Sequence, residues 1–73
     1  GMEKSVIQNI CKKIYTQYPM VDGILPEVKP QPNETQLLIF KTSGKVSDQK
    51  CIPVQVRVII DKYGEVIKIT ASR

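Results

Sequence analysis

The side chains that could do chemistry in this chain are few. It contains no histidine, so the commonest general base near neutral pH is absent, and Ser or Cys nucleophiles activated by imidazole cannot be assembled within one copy. The carboxylates fall as Asp22 and Glu27 in a proline-rich stretch and as Asp61 and Glu65 around a turn. Those settings favour turn-forming and solvated roles over a catalytic dyad. Glycines 23, 44 and 64 stand alone rather than in a phosphate-cradling cluster. Cys11 and Cys51 lie in different halves of the chain, with neither a CxxC nor imidazole partners for a structural zinc site. In a reducing compartment they read as two separate thiols acting as small hydrophobes. The expectation is a protein that is not an enzyme and carries no cofactor and no metal.

What remains is binding. Eleven Lys and Arg against 7 Asp and Glu give a net charge of +4, spread along the whole chain. Most of the basic residues are Lys, whereas bidentate recognition of phosphate or guanine leans on Arg. Lys41, Arg57 and Lys68 nevertheless fall on one face of the strands derived below, and they are the candidate contacts for a nucleic acid. No run of apolar residues is long enough for a spanning helix, and the first twenty residues carry Lys, Gln and Asn where a signal peptide would be apolar. The expectation is a cytoplasmic protein without a membrane partner.

The elements that position these residues follow from hydrophobic period. With 73 residues, 41% of them hydrophobic and 25% charged, the chain has the size and composition of one small folded domain, residues 2–73, with Gly1 ahead of Met2 read as a tag remnant. Val6, Ile7, Ile10, Cys11, Ile14 and Tyr18 share one helical stripe. Ser5 with Gln8 fits a capping box at its start, and Pro19 ends it. Residues 19–34 hold most of the prolines and exclude a helix or a central strand. Glu27–Gln31 could serve as an edge strand, where Pro is tolerated.

From Thr35 the period becomes two. Residues 36–42 read as a strand, 43–50 as a polar loop, and 52–61 as the central strand, with Val54, Val56, Val58 and Ile60 on one face and Pro53 near the start. Asp61-Lys62-Tyr63-Gly64 has the pattern of a hairpin turn, and 65–72 form the last strand. The apolar phase slips after this turn, which calls for either a bulge near Ile67 and Lys68 or a longer loop. The hairpin VRVIIDKYGEVIKI resembles the strand–turn–strand of several small α+β bacterial domains, among them the C-terminal domain of TonB-type energy transducers. The resemblance is confined to these residues, and it implies no function.

The fold expected is α+β, with one N-terminal helix packed on a three- or four-stranded antiparallel β-meander. Its core comprises Val6, Ile7, Ile10, Ile14, Leu38, Phe40, Val54, Val56, Val58, Ile60 and Ile69. That arrangement leaves Leu37, Ile39 and Ile59 on the opposite face, an apolar cluster beside Arg57 with a polar rim. A second copy could bury it, making the protein a self-associating interaction module that acts through this outer face or through an edge strand. Alternatively, the proline-rich segment covers it through Ile24, Leu25 or Val28.

Overall fold

The computed structural model describes residues 3–47 and 50–72, with side chains for all of these except 44–52. The chain forms helix α1 (Lys4–Gln17), a 3-10 turn (Pro19–Val21), and strands β1 (Glu27–Gln31), β2 (Thr35–Ser47), β3 (Lys50–Ile60) and β4 (Val66–Ser72). The strands make one antiparallel sheet in the order β1-β2-β3-β4. This is the α+β meander that the periodicities predict, with the edge strand at Glu27–Gln31 present.

The helix begins two residues earlier than the capping box implies. Glu3, extended at φ −65° and ψ 145°, is the N-cap and makes no side-chain cap bond. Its carbonyl accepts from the amides of Val6 at 3.1 Å and Ile7 at 3.3 Å, so Ser5 already lies inside the first turn and the Ser5–Gln8 box does not form. At the other end the Tyr18 amide donates to the Ile14 carbonyl at 2.7 Å, and Pro19 stops the helix as expected. The same Pro then opens the short 3-10 turn, where its missing N–H costs nothing. Residues 19–34 are therefore not free of helical structure.

Residues 43–47 and 50–52 are not a loop. They continue β2 and β3 as a ladder in which Ser43 faces Pro53, Gly44 faces Ile52 and Lys45 faces Cys51. Because β1 pairs only with Thr35–Ile39 and β4 only with residues 55–60, this part is a two-stranded ribbon projecting beyond the four-stranded sheet. The molecule is accordingly elongated, 42 × 22 × 16 Å. Pro53 sits within β3, as the fourth residue of the strand, and among the described residues the pairing of β4 with β3 goes no further than Gln55. The side chain of Cys51 lies outside the described residues.

After the turn the register jumps from Ile60↔Val66 to Ile59↔Lys68. Ile67 is the extra residue, so the phase slip is a β-bulge. It returns Ile69 opposite Val58 and Ala71 opposite Val56. The buried core joins Ile10, Cys11 and Ile14 of α1 and Val21 of the 3-10 turn to Leu38, Phe40, Val56, Val58 and Ile60. Val6, Ile7 and Ile69, expected in the core, are only partly buried against it, and Val54 is half-buried. Tyr15 and Phe40 meet edge to face, with ring centroids 6.0 Å apart, a geometry that the ring quadrupoles favour.

Candidate interaction surfaces

Register decides which side chains share a surface. On the face away from α1, cross-strand neighbours form the rows Lys29–Leu37–Ile59–Lys68, Glu27–Ile39–Arg57–Thr70 and Lys41–Gln55–Ser72. The structure therefore brings Lys41, Arg57 and Lys68 onto one face, all exposed, and adds Lys29. No aromatic side chain occurs in these rows.

The apolar cluster on that face is not an open patch. Leu37 and Ile39 retain only 5% and 4% of their accessible surface, and Ile59 is half-buried. The proline-rich segment does not cover them: Val28 lies opposite Leu38 on the helix side, Ile24 packs against the core, and Leu25 is 84% exposed. Their shelter comes from strand order. β2 is flanked by β1 and β3, and the cross-strand neighbours of the two apolar residues are Glu27, Lys29 and Arg57, whose long side chains are of a kind that covers apolar surface from such positions. Leu37, Ile39, Arg57 and Ile59 thus stand together as expected, but Leu37 and Ile39 need no second copy to leave water.

The open apolar surface is at β4, an edge strand without proline and with Lys68 as its one charged residue. Val66 and Ile67 are 40% and 58% exposed, Ala71 is exposed and Ile69 half-buried. α1 covers β2 and β3 but stops short of β4. A groove of about 340 Å³ remains between them, lined by Ile10, Ile14, Gly64, Val66 and Ile69 among others. Sequence reasoning named the outer face or an edge strand without saying which edge, and it placed Ile69 in the core rather than at an open edge. The signal available was the contrast between a proline-bearing strand at 27–31 and a proline-free one at the other end.

The β3–β4 turn holds this edge firmly. The Asp61 carboxylate accepts from the amides of Tyr63 and Glu65, both at 2.9 Å, the Gly64 amide donates to the Asp61 carbonyl at 3.1 Å, and Gly64 takes φ +84°. The Asp61 carboxylate thus braces the turn, to which Glu65 contributes its backbone amide.

Cys11 is a free, buried thiol. Burial pushes its pKa up, against a smaller opposing effect of the Tyr15 hydroxyl. The Tyr15 phenol is also raised, first by burial and then by the neighbouring thiol, while its hydroxyl donates to the Ile24 carbonyl. Such a thiol stays protonated and packs as a small hydrophobe. Among the described residues no group of His, Cys, Asp or Glu could hold a metal ion, and no helix is long and apolar enough to cross a membrane. No family model matches the chain, and no curated protein or solved structure matches it.

Proposed function

We propose that this protein is a non-catalytic interaction module that self-associates by pairing its β4 edge with the β4 edge of a second copy. The observation that carries the reading is the state of β4: a regular, proline-free edge from Lys68 to Ser72, beyond the bulge, whose inner row is left half-open by α1. Unpaired edge amides and carbonyls invite another strand.

The strand is self-complementary in one register. An antiparallel pair related by a two-fold axis normal to the sheet keeps both helices on the same side. With that axis at Thr70, Thr70 meets its own copy, Ile69 meets Ala71 of the second copy, and Lys68 meets Ser72. Hydroxyl faces hydroxyl, apolar faces apolar, and the two lysines stay apart, all favourable cross-strand combinations. Moving the axis to Lys68 would set like charges directly opposite. A chain of this size buries roughly 60% of its unfolded surface, so a continuous sheet across two copies also adds stability that one copy lacks.

Solution mass by light scattering, across a concentration series, tests the reading on the wild type and on Ala71→Lys. Ala71 is exposed, so lysine there should leave the thermal melt of the monomer unchanged when it is read at a concentration too low for dimerisation. It should weaken the dimer at least about tenfold by facing Ile69 of the second copy. A wild type that stays monomeric throughout, or a dimer indifferent to Ala71→Lys, would overturn the proposal.

A further inference from the structure

We infer that the β4-paired dimer forms a composite cation site on its outer face, Arg57 and Lys68 from each copy around the Thr70 pair, that takes the phosphate backbone of double-stranded nucleic acid. The inference rests on the self-association proposed above. It deepens that reading by naming the partner that the assembled surface fits.

The placement follows from register. Arg57 lies opposite Thr70, and Lys68 lies opposite Ile59. All of them are on the face away from α1, and Arg57 and Lys68 are exposed. Strands run ~4.8 Å apart and alternate residues ~6.8 Å apart. The Cα atoms of Arg57 and Lys68 within one chain are therefore ~8 Å apart on the diagonal, and Arg57 lies ~12 Å from Lys68 of the second copy. One copy offers a pair of cations, whereas two copies close a ring of them. Lys41 extends the positive face outward, while on β1, at the far edge of each copy, Lys29 Nζ lies 4.0 Å from the Glu27 carboxylate and the two charges offset each other. Thr70, Ser72 and Gln55 fill the rows between with neutral hydrogen-bonding groups suited to phosphate oxygens.

The chemistry of the face selects the duplex. Single strands are held by aromatic platforms on which bases stack, and these rows contain none. Phosphate contacts need only cations and polar donors on an accessible surface, and a duplex presents phosphates densely without unstacking a base. Both helices lie on the opposite side and leave the face clear. A ring of like charges also means that, without a polyanion, the two copies repel at low ionic strength. Dimerisation should therefore strengthen as salt rises, while duplex binding weakens.

The test is a fluorescence-anisotropy titration of a mixed-sequence DNA duplex about two helical turns long, between ~50 and ~200 mM salt. It is run with the wild type, Arg57→Ala, Ala71→Lys and the double variant, each checked by thermal melt and by light scattering. The wild type should bind, and Arg57→Ala should flatten the slope of log affinity against log salt by about 1.8, because each substitution removes a phosphate contact twice per dimer. In the Ala71→Lys background, binding should be weaker and the same substitution should flatten the slope by only about 0.9. A wild-type dimer that binds no duplex even at the lowest salt would overturn the composite site and leave self-association standing. A monomer that binds, with the smaller slope change in both backgrounds, would overturn both readings. Tighter binding to a single-stranded oligonucleotide of the same length would overturn the assignment to a duplex.

Discussion

The sheet ends in two unlike edges, each the outer strand of a hairpin. β1 is short, contains Pro30, and carries Glu27 and Lys29 on its exposed surface; these are the devices by which natural sheets refuse a further strand. Its turn is strained, because Asn33 and Glu34 take φ +64° and +61°, and only glycine, with Asn close behind, accepts that region readily. β4 is the converse. Its turn places Gly64 where φ is positive and braces it with the Asp61 carboxylate, while the strand beyond the bulge is open. One edge is closed to partners and loosely turned, and the other is firmly turned and left available. The self-association proposed at β4 rests on that difference more directly than on any count of exposed apolar residues.

The largest effect comes from breaking what both hairpins share. Val56, fully buried in β3, lies between Phe40 of β2 and Ala71 of β4. Val56→Asp would bury a carboxylate without a partner, at a cost above about 4 kcal/mol. A core of this size supplies only ~3–5 kcal/mol net. The expected outcome is loss of the cooperative thermal transition. Its row neighbour Ala71 is exposed and should accept lysine with the transition intact, so the pair marks where the closed core stops and the open edge begins.

The firm turn can be loosened next. Asp61→Ala removes both bonds from its carboxylate to the Tyr63 and Glu65 amides. The loss expected is about 1–2 kcal/mol, since each exposed bond contributes little more than about 1 kcal/mol net. Because β4 is held to the fold by β3 and this turn, amide hydrogen exchange should accelerate along β4 before it does along β1. Equal acceleration in both strands would mean that the turn does not set the stability of the open edge.

Much of this was legible in the residues. The alternation Val54, Val56, Val58, Ile60 announces the central strand, and the apolar phase slip after Gly64 forces a bulge or a longer loop, which the structure resolves as the bulge at Ile67. Pro30 in an otherwise extended segment points to an edge. What was not legible depends on neighbours distant in sequence. The composition of residues 43–50 is that of a loop, yet the ladder between β2 and β3 carries 43–47 and 50 on as a ribbon, because pairing established at Phe40↔Val56 continues along both strands. Leu37 and Ile39 look exposed by alternation alone, but strands on both sides of β2 shelter them, a consequence of strand order that no local pattern encodes. The short reach of α1, which leaves Ile69 half-covered and Ala71 exposed, is likewise a tertiary outcome.

The smallest effect sharpens the contrast from the β1 side. The Thr35 amide donates to the Pro32 carbonyl at 3.4 Å, and the two residues between them both lie in the left-handed region, which is the type I′ geometry that favours Asn-Gly. Asn33 fits its place and Glu34 does not. Glu34→Gly should therefore stabilise the hairpin by about 1 kcal/mol, the cost of holding a side chain in that region, less the entropy glycine adds to the unfolded chain. The substitution also deletes the ion pair in which Lys62 Nζ lies 3.2 Å from a Glu34 carboxylate oxygen. Both side chains are more than half exposed there, so that loss is small beside the backbone gain. A thermal melt at moderate salt, where the ion pair contributes least, reads the difference. A rise in midpoint would show that β1 is a closed edge on a strained turn. An unchanged or lower midpoint would show that Lys62, reaching across from the β4 turn, holds the two hairpins together, and the contrast between them would then be one of sequence rather than of stability.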